Sequence, residues 1–351
     1  MIKEHFVPLA VGARVTSKKD AEGEFLHNQC GLSFVGAAGG MFAVTAGGKQ
    51  LDKKSGGNSD PLKAYAEWLK LPEAERKPGA VQVGDVGPLE WQENTPPPGG
   101  LILKVYHRWL ARTEQGELRH TKRADFLSAE QLVATFPEEM KRKDVIDYND
   151  RYLGKAYQHE AAQDFMWLTE REWKSLIPTQ PKVGSRSAVS PAISKRLFVY
   201  QMDPVLTIGE SNGWPKGAKD IRGGEMTLTV EEVSDAAIRM RIDGFALLGE
   251  PYDPAIKPQP RFVGRRFGNG YEPRLLGYVA YDRQQKQITR FDLVAVGDTY
   301  GVQHEGASLY FRPGRQPLGI ALELTKGDTP ADRYPPRCAR QKDYGQYFKI
   351  Q

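Results

Sequence analysis

Between residues 223 and 300 apolar and polar side chains alternate in three runs, 224–232, 236–249 and 274–296. The last run breaks at residues 281–287, Tyr-Asp-Arg-Gln-Gln-Lys-Gln, a hydrophilic stretch that reads as a hairpin turn. Before the break Leu276, Tyr278 and Ala280 fall on one side, and after it Phe291, Leu293 and Ala295 line up again. A period of two with one apolar side is the pattern of an antiparallel strand laid on a core. The spacing predicts an antiparallel β-rich C-terminal domain, a barrel or sandwich, over residues 197–351.

Other segments complete an α+β fold class. Residues 101–110, Leu-Ile-Leu-Lys-Val-Tyr-His-Arg-Trp-Leu, read as a strong strand, with Gly116 turning the chain into residues 117–123. Neither half of the chain looks self-sufficient, so this strand is a candidate for the C-terminal sheet as well as for the mixed region that it opens. Residues 101–196 form a mixed region of strand and helix. Ser128 with Gln131 and Thr169 with Glu172 fit capping boxes, predicting helices over 128–140 and 164–177. Residues 197–202 read as a further strand, and 203–222 as a loop with an exposed Trp214. Residues 251–271 are a proline-rich insertion, 309–311 and 318–324 are strand candidates, and the tail from Thr325 is placed on the surface. Residues 72–100, ending in Thr-Pro-Pro-Pro-Gly-Gly, are a linker, because consecutive prolines enforce an extended segment without ladder donors.

Near the N-terminus the order is Phe-Val-Pro-Leu-Ala-Val, an excursion, then a glycine-rich stretch 39–51 with Met41, Phe42 and Val44, then a helix over 60–71. The helix has Asp60 as N-cap and Pro61 at its first position, with Leu62, Tyr65, Ala66 and Leu69 on one face. Residues 1–71 in this order resemble the second half of a thioredoxin-like domain, as found in many secreted or envelope proteins. The resemblance implies a small α/β scaffold of bacterial-envelope type. The helix that would carry a redox Cys-x-x-Cys is absent, and Gly39–Gly40 stands where the family places its cis-proline. Thiol–disulfide exchange needs an attacking and a resolving thiol, and this segment offers Cys30 alone. Its only companion, Cys338, either pairs with it or remains, like it, a free thiol.

The net charge of +5 is spread over 351 residues, which argues for solubility and against a nucleic-acid partner. The basic clusters at 141–143, 261–266 and 333–342 read as solvated surface, and Arg261, Arg265 and Arg266 as a loop packing its own Phe262 and Phe267. No window has the apolar length of a membrane helix, and the N-terminus lacks signal-peptide shape. The expectation is a soluble protein, cytoplasmic unless a leader was removed, in which case envelope or periplasmic.

Chemistry rests on scarce residues. The six histidines include no His-x-His or His-x-x-x-His pair, so a transition-metal site would have to be assembled from distant segments. The candidates are His107, which shares a strand face with Val105 and Trp109, His159 beside Glu160, and His304 beside Glu305. Each is a candidate metal ligand or catalytic base, since a neighbouring carboxylate orients an imidazole. Residues 209–213, Gly-Glu-Ser-Asn-Gly, match the nucleophile-elbow spacing at Ser211, with Asp298 or Asp203 as orienter, but lack the strand and helix the elbow requires. The glycine-rich pieces match neither phosphate-binding nor dinucleotide fingerprints. Two functional readings follow. One is a scaffold whose β-domain binds a small molecule, a polymer or a partner. The other is an enzyme with a histidine-centred site, a metal-dependent oxidoreductase or a hydrolase.

Overall fold

The structure is a computed structural model describing residues 30, 42–45, 48–52, 59–76, 95–128, 130–131, 134, 161–204, 213–214, 216–255, 268–301, 314–341 and 344–349. The chain divides into two compact units, Met1–Glu93 and Asn94–Gln351. Among the described residues no helix is long and apolar enough to cross a membrane.

In the first unit, strand β1 (Ala43–Val44) pairs antiparallel with β2 (Gln50–Leu51). Helix α1 (Pro61–Leu69) follows, then α2 (Glu73–Arg76). Asp60 caps α1 by accepting the Leu62 N–H at 2.9 Å. The helix is tied to the hairpin where the Asp52 N–H donates to Glu67 and the Ala43 N–H to Ser59. Its buried side is not the expected one: Ala64 is buried and Tyr65 stacks on Trp68 at 5.8 Å, leaving Leu62 and Leu69 exposed. The two aromatic rings, with Arg76 over Trp68, bring more apolar surface than the leucines and decide the rotation of the helix.

The second unit is built on one antiparallel sheet. Its strands are β3 (Leu101–Arg112), β4 (Leu118–His120), β5 (Ala162–Leu168), β6 (Arg186–Ala188), β7 (Ile221–Val233), β8 (Ala237–Gly249), β9 (Gly270–Asp282), β10 (Gln287–Tyr300) and β11 (Gln316–Leu324). The order runs β4-β3-β11-β10-β9-β8-β7-β6, with β5 pairing β3 beside β4. The expected hairpin is present, β9 turning into β10 through residues 283–286. The barrel is not: among the described residues the path ends at β6 on one side and at β4 and β5 on the other.

One face of the sheet is the core. Leu103, Val105 and Trp109 of β3 share it with Leu318, Ile320 and Leu322, Phe291, Leu293 and Ala295, Leu275 and Val279, Ile242 and Leu228. On β10 the apolar side predicted from alternation is the buried one. On β9 it is the reverse, for Leu275 and Val279 are buried while Leu276 and Tyr278 are exposed. The inner face is closed by a compact run that begins with α3 (Glu170–Lys174) and continues through α4 (Pro191–Arg196), contributing Trp173, Leu176, Ile193, Leu197, Phe198 and Met202.

Several local expectations shift. The Thr169–Glu172 capping box is made, the Thr169 N–H donating to Glu172 at 2.8 Å and the Glu172 N–H to Thr169 at 3.2 Å. It starts a helix of one turn, because residues 162–168 before it are β5 rather than helix. The Ser128–Gln131 box is made in the same reciprocal way. Residues 197–201 are a π-helical turn continuing α4, not a strand, with all five side chains buried. Trp214 is buried, its ring against Gly249, where φ is +72° and a Cβ would overlap the indole. The C-terminal tail forms α5 (Arg337–Gln341) and α6 (Tyr344–Tyr347), and Cys338, Ala339 and Tyr347 pack into a second core with Ile102, Phe165 and Trp167.

That second core covers the outer edge of β5. The Trp167 N–H donates to the Tyr347 hydroxyl at 3.1 Å. The Trp167 carbonyl accepts from Arg196, and the Phe165 carbonyl from the Gln201 side chain at 3.0 Å. Three side chains thus satisfy backbone groups that would otherwise template another strand. At the opposite edge the short β6 covers only Thr227–Thr229 of β7.

Candidate functional site

The two ends of the sheet differ. Residues 234–236 and 283–286 are tight turns at one end. At the other, β7 is entered from a long segment, β8 and β9 are joined through residues 250–269, and β10 and β11 through 301–315. The register places Gly249, Gly270, Thr299 and Gln316 at this end, and Arg112 of β3 with them. Long connections on a rigid sheet are where binding residues concentrate.

On the outer face at this end the pairing sets two acids side by side, Glu272 of β9 directly opposite Asp298 of β10. Like charges so placed repel. The repulsion is relieved by Arg315, whose Nη2 donates to Glu272 at 2.7 Å and whose Nε donates to Asp298 at 3.2 Å. Arg222 donates to the other Glu272 oxygen at 2.8 Å and Arg112 to Asp298 at 3.1 Å. The Tyr300 hydroxyl accepts from Arg222, and its single proton is shared between the Glu250 carbonyl at 2.8 Å and Glu272 at 3.0 Å. The Arg315 guanidinium lies 5.6 Å from the Tyr252 ring centre and 5.5 Å from that of Tyr300, both within cation–π range. Arg315 and Arg112 keep 38 % and 52 % of their side-chain surface in solvent, so the network is open to a ligand.

The electrostatics fix protonation. Partial burial pushes Glu272 towards its neutral form, but the hydrogen bonds from Arg222, Arg315 and Tyr300 together outweigh it and hold the carboxyl below its ordinary range. Burial, then the bond to Glu272, raises Tyr300 to about 12. Near neutral pH the acid stays ionised and the phenol protonated, so neither exchanges a proton readily. Three cations face two anions, and the excess is positive.

The other sequence candidates fall elsewhere. His107 lies on the inner face, opposite in sense to Asp298, so the two do not share a site. Its Nε2 sits 2.6 Å from the Gln201 carbonyl oxygen, which makes Nε2 the protonated, donating nitrogen. Burial lowers its pKa to about 4; the bond to Gln201 and the charge of Asp203 oppose this, and Arg337 adds to it. It is a neutral imidazole sealed in the core. His159, His304 and Ser211 lie outside the described residues. Among the described residues no three His, Cys, Asp or Glu side chains gather to hold a metal ion. Cys30 and Cys338 are each buried, and burial pushes the Cys30 thiol up.

Of this network, sequence reasoning named Asp298 alone. Arg112, Glu272, Tyr300 and Arg315 were passed over because nothing in the linear order links them; the link is the strand register. No protein-family model, curated protein or solved structure matches the chain.

Proposed function

We propose that this chain is a ligand- or partner-binding protein whose β-rich unit holds an anionic group at the long-connection end of its sheet. The observation that carries this reading is the Arg222–Glu272–Arg315–Asp298–Arg112 network. It holds three guanidinium groups in place before any ligand arrives, which reduces the ordering cost of binding. Planar guanidinium forks suit carboxylate, phosphate and sulfate oxygens. Binding is favoured over catalysis because the acid and the phenol there are locked in single protonation states, and His107 is sealed away.

In the same reading residues 1–71 are a thioredoxin-like scaffold without redox chemistry. Cys30 supports this, since a reactive thiol is poised by a lowered pKa and this one is raised. An envelope location accompanies that resemblance, and fractionation of the native host tests it.

The site itself is tested by calorimetric titration of the whole chain with inorganic phosphate, citrate and a sulfated polysaccharide. At least one should bind, more weakly as salt rises, and Arg315→Ala should weaken it about tenfold or more, as expected for loss of a charge-assisted bond. Absence of binding by all three, or equal binding by Arg315→Ala, would refute the proposal.

A further inference from the structure

Beyond the charged end, the outer face of the sheet carries exposed side chains across β7 to β11, and they form ordered rows. The register aligns Thr227, Asp243, Leu276, Val294 and Ala321 in one row. On one side lies the row Glu225, Phe245, Arg274, Val296 and Gly319. On the other lies the row Thr229, Arg241, Tyr278, Asp292 and Glu323. Leu276 and Val294, directly opposite one another, are 48 % and 47 % exposed, and Tyr278 is 37 % exposed. Contiguous exposed apolar side chains ringed by charge are the mark of an interaction surface.

The arginines of this face are unequal. Arg239 pairs with Glu232, Arg241 with Glu231 and Asp243, and Arg290 with Asp292. Arg274 lies over the Phe245 ring at 5.5 Å and makes no ion pair among the described residues. It stands one row from the apolar centre, and the carboxylates of Asp292 and Glu323 stand one row away on the other side.

We propose that two copies of this chain pair face to face through this surface. A two-fold axis along the Leu276–Val294 row brings those side chains against their own copies. It also sets each Arg274 row over the second copy's row of Tyr278, Asp292 and Glu323. Arg274, which has an aromatic ring but no carboxylate partner among the described residues of one copy, gains carboxylates there, and it does so twice by symmetry, as an isologous interface requires. Sheets stacked this way sit about 10 Å apart, with side chains interdigitating. At about 4.8 Å between strands and about 3.4 Å per residue, five strands by seven residues span about 24 Å each way. Two such patches bury about 1,100 Å² together, above the roughly 1,000 Å² that marks a specific interface. The Arg315 network stays at the rim, so this pairing does not depend on the anion site.

Sedimentation velocity on the whole chain tests it. The native chain should dimerise, and the double substitution Leu276→Asp with Val294→Asp should weaken self-association by at least about 30-fold, the scale of losing an interface hot spot. Arg274→Glu should weaken it too, whereas Arg315→Ala should leave it intact. A native chain that stays monomeric at every concentration reached overturns the proposal and leaves the face to a different partner. So does a dimer indifferent to the double substitution. Should the double variant fail to fold, Leu276→Cys in the otherwise native chain decides: residues on the axis must be joined by a short bis-maleimide, and absence of that product also overturns the pairing.

Discussion

Arg196 shows how much one residue can carry without announcing itself. Its side chain is almost wholly buried, and Nη1 donates to Glu172 at 2.8 Å and to the Trp167 carbonyl at 3.2 Å. Nε donates to the Tyr347 carbonyl at 3.1 Å, and the guanidinium lies over the rings of Tyr347 and Phe348. Removing one partner of a buried pair strands the other, so Arg196→Ala should cost about 3–5 kcal/mol in urea unfolding. His107 makes a second prediction. Folded, it stays neutral down to about pH 4; unfolded, it binds a proton from about 6.5. Its folded pKa is depressed, so as pH falls between those values the unfolded chain takes up a proton that the folded chain refuses. Stability should therefore drop by about 3 kcal/mol more between pH 7 and 4 in the native chain than in His107→Gln, by denaturant titration at each pH. At this scale the sequence was partly legible. Val105, His107 and Trp109 share a buried face as alternation implied, and Glu172 was readable as a cap. That Glu172 also receives Arg196 was not, because a Ser-Lys-Arg string at a helix end carries no sign of which cation turns inward.

The elements were legible where local pattern and environment agree. Strands β7 to β10 follow from their period of two. The sense of β9 did not, because Leu275 and Leu276 make both faces apolar there and alternation cannot choose between them. Pro273 lies inside β9, where a ladder donor is missing, and the pairing to β8 lapses between Arg274 and Tyr271. On its other side Gly297 admits the proline ring's backbone, since a Cβ there would overlap Glu272 and Pro273. The turn at 197–201 was misread for a related reason: a short apolar run suits a buried strand and a buried helical turn equally. The edge of β5 yields a prediction of its own. Tyr347→Phe removes the acceptor of the buried Trp167 N–H, which should cost about 1–3 kcal/mol. Hydrogen exchange at the Trp167 amide should quicken accordingly, while the Met166 amide, on the side paired with β3, should be less affected. Equal protection of Trp167 in both proteins would show that the hydroxyl is not what seals this edge.

For the molecule as a whole, composition indicated a globular chain and alternation indicated a sheet, but function resides in what the sheet brings together across long intervals of sequence. The anion network draws on β3, β7, β9, β10 and the approach to β11. The outer face becomes a surface only once five strands are in register. Neither was readable beforehand, because pairing partners up to 217 residues apart, as Tyr106 and Glu323 are, leave no local trace. The same separation has a consequence in time. Trp167 waits for a hydroxyl 180 residues downstream before its edge is closed. At ribosomal speeds of about 5–20 residues per second, that is roughly 10 to 40 s during which a nascent β5 has an open margin. The growing chain therefore has a window in which a holdase has something to hold, and it ends with the arrival of one tyrosine.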